Sequence, residues 1–272
     1  MNFLVRSPHK DLLNREVTFA QTDSEESYKR NVKTYGNDWY YSNHPVTYKF
    51  NKLGYRMKEL EQVDYENYYA FFGCSFTVGI GLNVEDTFAY KISQQANVDY
   101  INAAIGGSSV DFVYYNFINL MTSAPNKPKI VFINWPNIYR TFYWLNNNVQ
   151  FMLPSLIIDG HWKRSYEDFI VMDNQVFTRF DTIRKSIKLI CELANIPMFE
   201  MSTSQDNDHK AFSNRYPDIV TNIPLFIEDM ADIKNIHFSR ARDINKTSNG
   251  TMSHPGLSHQ NAIVSKFFEV MK

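Results

Sequence analysis

Cysteine is scarce. Among 272 residues only Cys74 and Cys191 occur, so neither a disulfide framework nor a C-x-x-C metal motif can be drawn. Long apolar runs are missing too: no stretch approaches the roughly 18 residues that a membrane helix needs. Residues 1 to 11 show no continuous apolar core and no small-residue cleavage site, which predicts no signal peptide and a cytoplasmic location. Neither sign of charge is in excess. Lys plus Arg number 28 against 29 Asp plus Glu, a net charge of −1, which points to no nucleic-acid partner. Nucleotide-binding glycine patterns fail as well. Gly81 is followed by Leu82 and Asn83, where a phosphate loop needs lysine and then Ser or Thr. Val84 stands where the third glycine of a dinucleotide fingerprint belongs.

What the chain does have is length and aromatic residues. A chain of 272 residues suits one large or two small domains, and at this size roughly 75% of the unfolded surface can be buried. With 21 Phe and 17 Tyr, some rings are expected at the surface, where they can line a groove. Residues 1 to 65 are polar and aromatic with little periodicity. They read as an N-terminal arm, with an extended strand over Trp39–Phe50 and a turn at Asn51–Arg56.

From residue 66 strands and helices alternate. Tyr68–Phe72, Val98–Ile101, Lys129–Ile133 and Pro197–Met201 read as strands. Helical patterns fill the intervals: Asp86 is the expected cap of one, and Val110, Val113, Phe117, Leu120 and Met121 share a side of the next. A third helix spans about 174 to 194, and a last one carries Ile263, Phe267 and Val270. Such alternation predicts an α/β fold in three layers, with a mostly parallel sheet of about five strands between helices. Residues 139 to 166 are too long for a simple connection and hold many rings, which suggests a functional insertion.

Three strand ends carry loops of small and polar residues: Gly73-Cys74-Ser75, Asn102 through Ser109, and Asn134-Trp135-Pro136-Asn137. In a parallel sheet such loops lie at the carboxyl edge, where ligands bind. Ser75 alone reads equally well as an idle turn residue or as a nucleophile. A nucleophilic serine needs a histidine to take its proton and donors to hold the oxyanion. Ser253-His254-Pro255 near the C-terminus offers the histidine, and glycine N–H groups with an asparagine amide offer the donors.

Taken together, residues from about 68 to 272 resemble the SGNH (GDSL-type) hydrolases. Gly73-Cys74-Ser75-Phe76-Thr77-x-Gly79-x-Gly81 is similar to their nucleophile block, with Cys74 in place of aspartate. Asn102–Gly107 resembles the second block and Trp135-Pro136-Asn137 the third, with the glycine replaced. His254-Pro255-x-x-Ser258-His259 resembles the family's tail, and Asn51–Arg56 a lead-in found in some members. The resemblance implies a flavodoxin-like sheet over residues 66–272, Ser75 as nucleophile and His254 as base. Ser75, Gly107 and Asn137 would be the oxyanion donors, with Asn134 in reserve. His259 would cap or pack the last helix.

The family's aspartate, three residues before the histidine, is Thr251 here. Asp243 is the candidate displaced acid; the alternative is a carbonyl that orients His254. Trp135, Arg140, Tyr143 and Trp144 are the expected substrate contacts, with an O-acetyl ester on a carbohydrate as the favoured substrate. No cofactor or metal is expected, and Asp206–His209 reads as a solvated turn. Two rivals stay open: a degenerate module that binds glycan or a partner, and acyl transfer to a sugar hydroxyl.

Overall fold

The computed structural model describes residues 3–146, 148–152, 173–202, 212, 214–220, 239–241 and 254–272. In chain order these form β1 (Glu16–Val17), α1 (Glu25–Tyr35), β2 (Tyr48–Lys49), β3 (Tyr68–Phe72) and α2 (Ser75–Val78). There follow α3 (Phe88–Ala96), β4 (Asp99–Asn102), α4 (Val110–Ser123) and β5 (Ile130–Trp135). The hairpin β6 (Thr141–Leu145) and β7 (Asn148–Met152), then α5 (Asp173–Leu193), β8 (Met198–Ser202) and α6 (Leu257–Val270), complete the set. Among the described residues no helix is long and apolar enough to cross a membrane.

The central sheet has four strands in the order β4-β3-β5-β8, all parallel. A single parallel bridge between Met201 and Val220 stands where a fifth strand would run. This is the flavodoxin-like order: the chain steps from β3 outward to β4, then returns to lay β5 on β3's other side. The crevice where the direction reverses opens between the carboxyl ends of β3 and β5.

Side-chain alternation divides the core into layers. Phe71, Phe132 and Phe199 face one way and pack with Phe88, Ile92, Ile263 and Phe267 from α3 and α6. Ala70, Phe72, Val131 and Ile133 face the other way, against Phe112, Phe117, Phe180 and Ile187 from α4 and α5. Strands buried on both faces need continuous apolar runs, and β3 and β5 supply them.

Helix starts follow local chemistry. Ser109 Oγ accepts the Phe112 N–H (3.2 Å) and starts α4. At α3 the cap is Thr87, not Asp86 as expected, because a 3-10 turn over Val84–Asp86 delays the helix. The extended strand expected over Trp39–Phe50 is paired only at Tyr48–Lys49, and Tyr40–Ser42 instead form a 3-10 turn.

The N-terminal residues contribute to two apolar clusters. Phe3, Leu4, Leu53, Tyr55 and Leu60 join the α4–α5 side of the core. Leu12, Trp39, Tyr41, Val46, Tyr48 and Phe50 pack around Val78, Ile80 and Leu82, just beyond Ser75.

Candidate active site

Three loops meet at the carboxyl edge of the sheet, and glycine allows the closest approach. A Cβ on Gly73 would lie 2.1 Å from Thr77 Oγ1 and 2.9 Å from the Asn134 carbonyl oxygen, so no larger residue fits. Ser75 then opens α2 and is half-buried. Gly79, left-handed at φ 74°, ends the helix after one turn.

Neighbouring side chains hold this turn by its carbonyls. Arg56 is buried and donates to the carbonyls of Gly79 (2.7 Å), Leu82 (2.6 Å), Val78 (3.3 Å) and Thr47 (3.0 Å). Its guanidinium also lies 4.5 Å from the centre of the Tyr48 ring. Asn102 Nδ2 donates to the Thr77 carbonyl (2.9 Å), and the Ser108 hydroxyl donates to that of Gly73 (2.7 Å). A buried guanidinium is strongly destabilising unless its donors are met. Here the carbonyls of Val78 and Gly79 at the end of α2, with those of Leu82 and Thr47, meet most of them, and the same bonds fix where α2 sits.

The turn at Asn51–Arg56 delivers that arginine. Asn51 Oδ1 accepts the N–H groups of Leu53 and Tyr55 (both 3.0 Å), with Gly54 left-handed at φ 84° between them. The lead-in motif is thus a bracket for the serine turn.

On the other side of Gly81 runs the segment 239–241. Arg240 N–H donates to the Gly81 carbonyl and Ser239 N–H to that of His254, each at 3.0 Å. Arg240 forms a buried ion pair with Asp23 (2.7 Å), which also accepts the Tyr48 hydroxyl. Gly81 N–H donates to the Tyr48 oxygen at 2.7 Å. Asp23, Tyr48 and Arg240 therefore tie residues distant in sequence to the loop after Ser75 and to the backbone of His254.

His254 itself is buried, and among the described residues neither ring nitrogen has a hydrogen-bond partner. Its ring lies edge-on to Phe76, the residue after Ser75, with centroids 5.1 Å apart. Burial pushes its pKa down to about 4, and the positive charge of Arg140 acts in the same direction. The imidazole is therefore neutral at neutral pH, the form that can accept a proton.

Gly107, left-handed at φ 78° and half-buried, lies between β4 and α4. Asn137 follows β5. Its Oδ1 accepts the Tyr139 N–H (2.8 Å) and its carbonyl accepts the Arg140 N–H (3.1 Å). That turn uses the amide oxygen and leaves the Nδ2 protons without a partner among the described residues. Asn134 is fully buried beside Gly73. Arg140 is half-buried, and no side-chain partner is found for it among the described residues.

Not every expected contact reaches the loops. Trp135 is 1% exposed, its indole N–H donates to Glu200 (2.9 Å), and its ring packs on Phe180 (5.0 Å). It shares the sheet face of Val131 and Ile133, so it is a core residue and not a substrate contact. Tyr143 and Trp144 are 40% and 50% exposed on β6. Asp243, Trp162, Tyr166 and Asp206–His209 lie outside the described residues. His259 is buried in α6.

Comparison with known proteins gives fold-level likeness only. No family model matches the chain, and no curated protein matches it. Among solved structures it is similar to a G-D-S-L-family protein from Desulfitobacterium hafniense DCB-2. The identity is 12% and the TM-score 0.44, over 75% of this chain and 99% of that one. It is similar to a member of the lipolytic protein G-D-S-L family from Veillonella parvula DSM 2008, with 17% identity and a TM-score of 0.39. That match covers 75% of this chain and 97% of the other. A GDSL-like lipase from Bacteroides thetaiotaomicron VPI-5482 matches at 13% identity and a TM-score of 0.29, over 76% and 89% of the two chains. These scores are too low to carry residue roles, which rest on the geometry above.

Proposed function

We propose that the protein is a serine ester hydrolase. The observation that supports this best is the buried His254 ring, with both nitrogens unpartnered among the described residues and stacked edge-on to the neighbour of Ser75. Leaving a buried polar atom unsatisfied costs about 1–3 kcal/mol, and a catalytic role is one explanation for such a group.

In this reading Ser75 Oγ attacks the ester carbonyl while His254 accepts its proton. The oxyanion is held by the N–H groups of Ser75 and Gly107 and by Asn137 Nδ2. His254 then protonates the leaving alcohol; water, deprotonated by the same ring, attacks the acyl carbon, and the ring returns that proton to Ser75 Oγ as the acid leaves. Asp243 or a backbone carbonyl would orient the ring.

The finer proposal is an O-acetyl ester on a carbohydrate. A groove of about 280 Å³, lined among others by Arg6, Lys10, Tyr115, Asn119, Trp144 and Asn148 and by none of Ser75, Gly107, Asn137 and His254, would hold a part of that substrate away from the ester. Exposed Trp and Tyr rings beside amides suit the apolar face and the hydroxyls of a sugar. Arg140, without a side-chain partner among the described residues, would favour an anionic group on that substrate.

The test is hydrolysis of p-nitrophenyl acetate by the wild type and Ser75→Ala. We expect the variant to lose activity by on the order of 10⁴-fold or more. Equal rates would leave a binding module as the better reading.

A further inference from the structure

We infer that His9, in the N-terminal segment, is a positioning residue for the oxyanion site; this rests on the esterase reading above. Its Nε2 lies 3.0 Å from the carbonyl oxygen of Gly106. A carbonyl only accepts, so Nε2 carries the proton and His9 donates. The Gly106 carbonyl and the Gly107 N–H belong to one peptide group. A donor on the oxygen pulls electron density through that amide, which makes the N–H on its far side a stronger donor. His9 thus acts on the developing oxyanion without touching it.

The surroundings keep His9 in place. Its own N–H donates to Ser7 Oγ (3.2 Å), and Ser7 N–H donates to the Leu53 carbonyl (2.8 Å). Ser7 also packs on Gly54, where a Cβ would stand 2.6 Å from the serine Cβ. The bracket at Asn51–Arg56 that holds the serine turn therefore also holds the segment carrying His9. Gln21 closes the other side: a Cβ on Gly106 would come within 1.7 Å of its Oε1. Gly106 is pinned between Gln21 at its Cα and His9 at its oxygen, which fixes the direction of the Gly107 N–H. Catalysis gains from such a donor only if it is aimed before charge develops.

The experiment compares wild type, His9→Phe and His9→Gln with p-nitrophenyl acetate, and measures inhibition by phenylboronic acid, whose tetrahedral adduct on serine places an oxygen where the oxyanion forms. Phe keeps the ring and removes the donor; the Gln amide can donate in its place. We expect His9→Phe to lower kcat about tenfold with KM changed less than about twofold, to weaken boronate inhibition by the same factor, and His9→Gln to recover most of both. A His9→Phe variant that does not fold is replaced by His9→Asn, too short to reach the carbonyl and expected to behave alike. An unchanged kcat, a loss confined to KM, or a glutamine variant no better than phenylalanine would overturn the inference alone. Hydrolysis unaffected by Ser75→Ala would overturn the esterase reading, and this inference with it.

Discussion

The serine turn and the histidine beside Phe76 are held in contrary ways. Around Ser75 the carbonyls of Gly73, Thr77, Val78, Gly79, Gly81 and Leu82 all accept hydrogen bonds from other parts of the chain. The His254 ring, equally buried, has no such bond among the described residues; only its backbone is fastened, through Ser239. A nucleophile gains from a fixed position, since a misplacement of about 1 Å can cost on the order of 10²-fold in rate. A base gains from ring nitrogens that stay available to the proton. On the esterase reading proposed above, the contrast separates positioning, which the backbone carries, from proton transfer, which the ring would carry.

The largest way to break this comparison is at the Asp23–Arg240 pair, which serves both sides. Asp23→Ala leaves a buried guanidinium uncompensated and is expected to lower stability by about 3–5 kcal/mol in urea unfolding. Asp23→Ala combined with Arg240→Met should cost less than the two single changes added together.

Next comes Arg56→Met, which strips donors from the carbonyls after Ser75. A loss of about 3 kcal/mol is expected, with kcat falling in the protein that remains folded. Full activity with lowered stability would show that the bracket supports the fold and not the nucleophile.

The last effect is the most specific. With its pKa depressed to about 4, His254 stays neutral in the folded protein while the unfolded chain takes up a proton near pH 6.5. Its contribution is complete above about pH 6.5 and is lost progressively as pH falls toward 4. Wild-type stability should therefore drop more across that window than that of His254→Gln. Parallel curves would show that the ring is not buried in neutral form.

Much of the sheet is legible in the sequence. Strands buried on both faces need unbroken apolar runs, so β3 and β5 stand out, and the small-residue loops after β3, β4 and β5 mark the edge where ligands bind. What stayed hidden depends on contacts between residues far apart in the chain. Asp23 and Arg240 lie 217 residues apart, and neither carries a local sign of its partner. His9 reaches Gly106 across 97 residues in the same way. Trp135 stands next to a loop, which suggests a substrate contact, but the alternation Val131, Ile133, Trp135 puts it on a buried face of the sheet. Thr87 displaced Asp86 as the cap of α3 because an intervening 3-10 turn leaves no mark on the apolar periodicity.

The most direct test is labelling with a fluorophosphonate, which forms a phosphorus–oxygen bond and releases fluoride only at an activated serine. Mass spectrometry should find the adduct on Ser75 in the wild type, formed at least about 10²-fold more slowly in His254→Gln. An unlabelled Ser75, or equal labelling rates in the two proteins, would contradict the pairing of this serine with this histidine.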